Sequence, residues 1–165
     1  MAWGLAALLC LYWQRRGLLI WSLVLLLGYW PLLVVFGGTD PFALETNLVR
    51  RVDLALLGPG HLWQGAGLAF DPEGLLSTLP AVVTVLLGYL TGQALGTAEK
   101  PGDLARPMAC VGLGAVLIGW CWSWWLPINK ALWTSSYVLF SAGWAWLVLA
   151  ACRRNQPGQK TAWSG

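Results

Sequence analysis

Residues 17–36 read GLLIWSLVLLLGYWPLLVVF, twenty positions without a charge. At about 1.5 Å per residue such a run makes a helix of roughly 30 Å, the thickness of the hydrocarbon core of a bilayer. Pro31 falls near its far end, where a bilayer helix tolerates a kink because neighbouring helices re-satisfy the freed backbone. Reading outward, three further runs meet the same criterion: 75–95, with Pro80 in its first turns, 107–126, opening on a proline, and 131–152. Residues 2–13 are apolar but reach only about 18 Å as a helix, half a crossing. They are not a signal peptide in form, because the arginines Arg15 and Arg16 follow the apolar run instead of preceding it. The expected fold is all-α: a polytopic transmembrane bundle of four full spans and one partial N-terminal span, over residues 1–152, followed by a polar tail at 153–165.

Composition agrees with that reading. The chain is 58% apolar and only 10% charged, with a mean hydropathy of +0.62. Thirteen tryptophans outnumber the four tyrosines and four phenylalanines together, a bias suited to rings at a membrane–water boundary. These values exclude a disordered chain, a collagen, a disulfide scaffold and a nucleic-acid module, and a net charge of +3 is too small for polyanion binding. The cysteines Cys10, Cys110, Cys121 and Cys152 all sit in or at the end of apolar runs without metal-ligand spacing and read as small hydrophobes. Of the ten basic residues, Arg15, Arg16, Lys100, Arg106, Arg153, Arg154 and Lys160 fall on one side of an alternating topology, and Arg50, Arg51 and Lys130 on the other. The excess of basic residues predicts that the first side, with the C-terminus, is cytoplasmic in a bacterial inner membrane.

The loop 37–74 then faces outward, and it is longer than a structureless connection normally runs. Leu44, Leu48, Val52, Ala55 and Leu56 recur at helical spacing, which predicts a short interfacial helix opened near Asp40-Pro41 and ended by Gly58-Pro59-Gly60. Asp53, three positions after Arg50, is placed for a surface ion pair. Asp40, Glu45, Asp53, Asp71 and Glu73 share the loop with the only histidine, His61. His61 has two readings, a proton-transfer group held by a carboxylate or an interfacial hydrogen-bonding residue.

Two outward stretches are the richest. In Asp71-Pro72-Glu73-Gly74-Leu75-Leu76-Ser77-Thr78-Leu79-Pro80 a loop becomes a helix: Ser77 or Thr78 is placed to cap it and the acids to meet the positive end of its dipole. Asp71 and Glu73 read either as that cap's charge or as substrate-binding groups. In Asn129-Lys130-Ala131-Leu132-Trp133-Thr134-Ser135-Ser136-Tyr137 polar groups open the last span, and Lys130 at a helix start calls for an anion nearby. Asn129 and Lys130 are the second pair of candidate substrate-binding residues. Finally, Gly88, Gly92 and Gly96 form one smooth helical stripe, for close packing of a second helix or for a slender ligand such as an acyl or pantetheine arm.

The segments Phe70–Pro80 and Pro127–Tyr137, with Gly60-His61-Leu62-Trp63, resemble the transmembrane heparan-alpha-glucosaminide N-acetyltransferase family and its bacterial relatives, named as N-acetylglucosamine-related transporters. The likeness covers residues from about 10 to 150. It implies an acetyl-coenzyme A-dependent transfer of acetyl to an amino sugar across a lipid bilayer, without a metal and without nucleic acid. The family's proposed catalytic histidine lies in an earlier outward loop, so the resemblance implies a C-terminal portion that is inactive alone, in which His61 is not that residue. The alternative is a sugar transporter or membrane scaffold; a proton- or sodium-coupled carrier normally places ionisable groups at mid-bilayer depth, and the four spans contain none.

Overall fold

A computed structural model describes residues 1–65, 67–71, 74–98 and 102–154. Its helices are α1 (Ala2–Tyr12), α2 (Arg15–Phe36), α3 (Leu48–Leu57), α4 (Thr78–Thr97), α5 (Ala105–Trp122) and α6 (Ser135–Arg154), with a 3-10 turn at Pro59–His61 after α3. No strand occurs among the described residues. Helices α2, α4, α5 and α6 are long and apolar enough to cross a membrane, and α1 is a shorter apolar helix. The fold is therefore the expected all-helical one. Pro80 is harmless at the third residue of α4, where no helical N–H bond is lost, whereas Pro31 lies inside α2.

The chain folds back between α1 and α2 at two extended residues, Trp13 and Gln14. Trp13 lies over Gly17, where a Cβ would strike its ring, and meets Trp21 edge-on at 6.0 Å. Helix α1 then runs beside α4, burying Ala6 with Leu18, Val82, Leu86 and Leu90. Two further clusters build the opposite half: Leu26, Val83 and Val138 join α2, α4 and α6, while Tyr29, Leu33, Val49, Phe70, Leu126 and Leu132 form the core at the loop-bearing end.

Two hydrogen bonds tie α2 to the start of α6. The Tyr29 hydroxyl donates to the Leu132 carbonyl at 2.7 Å, and Ser135 Oγ donates to the Leu26 carbonyl at 2.7 Å. Tyr29 is 1% exposed, so neither partner has water as a substitute. Tyr29→Phe is expected to cost about 1–3 kcal/mol, the range for leaving a buried acceptor unsatisfied. Unfolding in mixed micelles would measure it, and a loss below about 0.5 kcal/mol would contradict the bond.

Helices α5 and α6 form the tightest pair, and the reason is glycine. Gly112 and Gly143 face one another so closely that a Cβ on Gly143 would lie 2.7 Å from the Gly112 carbonyl oxygen and 2.7 Å from the Val116 backbone nitrogen. Gly119 is held likewise, its Cβ position 2.8 Å from the Phe140 nitrogen. With no hydrophobic driving force between helices in lipid, close backbone approach is what favours such pairing. The stripe Gly88, Gly92 and Gly96 does not do this: all three are exposed, and a Cβ at any of them would meet nothing within 4 Å.

The described basic residues divide between the two ends. Arg15, Arg16, Arg106, Arg153 and Arg154 lie at the end where α2 and α5 begin and α6 finishes; Arg50, Arg51 and Lys130 lie at the end that carries α3 and both loop segments. Lys100 and Lys160 are outside the described residues.

Candidate functional site at the loop-bearing end

Helix α3 starts at Leu48, well after Asp40, with Asn47 as its N-cap. The Asn47 side chain accepts from the Arg50 N–H at 2.8 Å and donates to the Ala43 and Leu44 carbonyls, so it closes the preceding turn as well as capping the helix. Gly58, at φ 77°, ends the helix in a conformation glycine adopts without strain. The buried edge of α3 is Val49 and Asp53, four apart, while Ala55 and Leu56 of the expected stripe are exposed.

Asp53 corrects the expectation of a surface ion pair. It is fully buried, and Arg50 turns elsewhere, donating to the carbonyls of Ala69 and Glu45. Asp53 Oδ1 accepts the Leu75 N–H at 2.9 Å, while Oδ2 is buried without a hydrogen-bond partner against Gly74. A Cβ on Gly74 would land inside that carboxylate. Asp53 from α3 therefore receives the chain as it turns toward α4. Burial raises its pKa and the nearby Asp71 adds to the rise, against the Leu75 bond, which lowers it. Ser77 and Thr78 were expected to cap α4 by accepting N–H bonds; both hydroxyls instead donate to the Gly74 carbonyl, at 2.9 and 3.1 Å.

Of the four candidate substrate-binding residues, Asp71 is half-buried beside Asp53, and Glu73 lies outside the described residues. Asn129 is half-buried in a turn that it organises. Its Oδ1 accepts from the N–H groups of Ala131 and Leu132, at 2.9 and 3.3 Å, so its amide NH2 remains as a donor. Lys130 is exposed beside it. The turn is locked by Thr134, whose buried hydroxyl donates to the Pro127 carbonyl at 2.8 Å and accepts from the Asn129 N–H at 3.0 Å. His61 is exposed, its Nδ1 2.8 Å from the Leu57 carbonyl at the end of α3.

The two segments 70–80 and 127–137 share the core of this end, where Phe70 packs in one cluster with Leu126 and Leu132. Between them lies Trp133, the only non-glycine residue with positive φ among those described, at 50°. Its indole N–H donates to Thr84 Oγ1 at 3.2 Å, and its ring meets Tyr137 edge-on at 5.4 Å. The burial of Asp53 had no local signal, since its partners Gly74 and Leu75 lie more than twenty residues on. The sequence offered none for the backbone of Trp133 either, which the turn geometry imposes.

At the opposite end, α5 packs chiefly on α6 and leaves a cleft beside α4. A cavity of about 250 Å³ there is lined by Leu87, Leu90, Thr91 and Ala94 of α4 and by Pro107 and Met108 of α5, together with Arg15. Trp146 also lines it, donating to Thr91 Oγ1 at 2.7 Å.

No family model matches the chain. It is 32% identical to the heparan-alpha-glucosaminide N-acetyltransferase of Homo sapiens, over 68% of this chain and 20% of that protein. To the Mus musculus protein of the same description it is 33% identical, over 59% of this chain and 17% of that one. The chain thus spans about one fifth of the length of the curated relatives it matches. With four helices fit to cross a bilayer, it is a multi-pass membrane protein that resembles the heparan-alpha-glucosaminide N-acetyltransferases.

Proposed function

We propose that the chain is the acceptor-positioning part of a membrane acetyltransferase that passes acetyl from acetyl-coenzyme A to the amine of a glucosamine-type sugar. The observation that carries this reading is the meeting of the two resembling segments in one core, Phe70 against Leu126 and Leu132, at one end of the bundle. Arg15, Arg16, Arg106, Arg153 and Arg154 outnumber Arg50, Arg51 and Lys130 across the bundle, which supports a cytoplasmic C-terminus and an outward-facing site.

The chemistry needs three things: a base for the amine proton, a donor for the oxyanion that forms at the acetyl carbonyl, and a proton for the departing thiolate. The Asn129 amide NH2 and the Lys130 ammonium are suited to the second. Asp71 and Glu73 are suited to hold sugar hydroxyls. The base is expected from outside this chain, because the family it resembles has its proposed histidine in an earlier outward loop; His61 sits at the end of α3 with Nδ1 on the Leu57 carbonyl. For the donor arm, the α4–α5 cleft is a better slot than the stripe Gly88, Gly92 and Gly96. It is apolar, and the exposed Arg15 among its lining residues offers a charge for a phosphate.

The test is transfer of labelled acetyl from acetyl-coenzyme A to glucosamine in membranes carrying this chain alone or carrying it with the coding sequence upstream of Met1. Transfer is expected only from the longer form. Transfer by the short form would place the base within this chain, and none from either would refute the reading.

A further inference from the structure

We propose that the cavity between α1, the start of α4 and the Trp133 turn binds one pyranose ring of the acceptor, stacked on the Trp133 indole. This rests on the function proposed above and assigns the sugar a place in it. The cavity, of about 270 Å³, is lined by Trp3, Thr78, Ala81, Thr84 and Trp133 among others. Both resembling segments contribute to it, the first through Thr78 and the second through Trp133.

Its walls mix two kinds of surface. A pyranose has a flat C–H face and a rim of hydroxyls, so it needs an aromatic plate with polar groups around the edge. Trp133 supplies the plate, Thr84 Oγ1 meets its indole N–H, and Thr78 lines the same cavity. The α4–α5 cavity and the shallow groove beside Trp30 and Trp122 are almost wholly apolar and do not offer that combination. The polar groups also have capacity left. Thr84 Oγ1 accepts from the indole N–H, which leaves its own hydrogen to donate. Thr78 donates to Gly74 and keeps lone pairs to accept.

The plate is held in advance. Trp133 keeps a left-handed backbone that a bulky residue adopts only under constraint, with its indole N–H bonded to Thr84 and its ring in edge-on contact with Tyr137. Size limits the occupant, since the cavity falls just below the roughly 300 Å³ at which drug-sized pockets begin. It accommodates a single pyranose ring.

Binding of methyl glucosaminide to the chain in lipid nanodiscs, followed by saturation-transfer NMR, tests this without turnover. The wild type is expected to transfer saturation to the C–H protons of one sugar face. Trp133→Gly removes the ring yet suits a φ of 50°, and Thr84→Val removes the hydroxyl at nearly constant shape; each should weaken binding about tenfold or more. Absence of wild-type binding overturns the proposal, as does full affinity in a folded Trp133→Gly protein. If that variant unfolds, full affinity in Thr84→Val overturns it alone. Binding without acetyl transfer by any form would leave the sugar site standing and remove the enzyme reading. Transfer by the longer form, with wild-type affinity for sugar in Trp133→Gly, would do the reverse.

Discussion

Replacing Gly143 with leucine is expected to separate α5 from α6 and to destabilise the bundle by about 3 kcal/mol or more, beyond the usual overpacking range because backbone has to move. The atoms in the way are the Gly112 carbonyl oxygen and the Val116 backbone nitrogen, both within 2.7 Å of the new Cβ. A side chain in that position has no rotamer to escape into. Gly143→Ala should cost less, about 1–3 kcal/mol, since a small displacement of the helices accommodates one methyl. The control is the same change at Gly88 or Gly92, where a Cβ meets open space. There leucine should be neutral or stabilising by up to about 1 kcal/mol, the helix-propensity penalty that glycine carries. Unfolding of the three variants in mixed micelles gives the comparison. Equal losses at Gly143 and Gly88 would show that the exposed stripe is covered in the membrane and that the α5–α6 contact is not special.

The contrast between those two stripes shows what a sequence of this kind can and cannot reveal. Hydropathy and charge placed the four long helices because the bilayer imposes a length and a polarity on every span, whatever lies beside it. Spacing found a helix ending at Gly58, because a helix end is a local event, but put its start too early and its buried face on the wrong residues. Small residues four apart say only that a face is smooth. Gly88, Gly92 and Gly96 make the regular motif and face open space, whereas Gly112, Gly119 and Gly143 make no single motif because they sit on two helices. The site divides in the same way. Phe70–Pro80 and Pro127–Tyr137 were legible as rich segments, and the fold brings them to one end. The roles within them depended on neighbours distant in sequence. Ser77 and Thr78 looked like caps and donate to the Gly74 carbonyl instead, while the Leu75 N–H goes to Asp53, more than twenty residues earlier. Asp53 looked like a surface charge because Arg50 stands three positions before it, and nothing local shows that Arg50 reaches back to Ala69 and Glu45.

Asp53 and Gly74 should therefore be coupled, and a double-mutant cycle should show it. Gly74→Ala in the wild type pushes a methyl into the Asp53 carboxylate, an overpacking expected to cost about 1–3 kcal/mol. Asp53→Ala alone leaves the Leu75 N–H without its acceptor, a loss of about 1–3 kcal/mol. In the double variant the methyl has room, so the two losses should fall short of additive by roughly 1–3 kcal/mol. Strict additivity would mean that the α3–α4 junction is not built on this contact. Asp53→Asn separates charge from shape, since its side-chain oxygen still accepts the Leu75 N–H while no charge is buried. Because burial and Asp71 raise the folded-state pKa of Asp53, the folded protein binds that proton more tightly than the unfolded chain. The resulting stabilisation is complete below the ordinary aspartate value of about 3.9 and is lost as pH rises through the higher folded value. Stability of the wild type relative to Asp53→Asn should then decline from acid toward neutral pH, a difference in which the titration of carboxylates not coupled to Asp53 cancels. A wild-type advantage that grows with pH would show that Asp53 works as a fixed charge facing the α4 N-terminus, and the unpartnered Oδ2 would need another explanation.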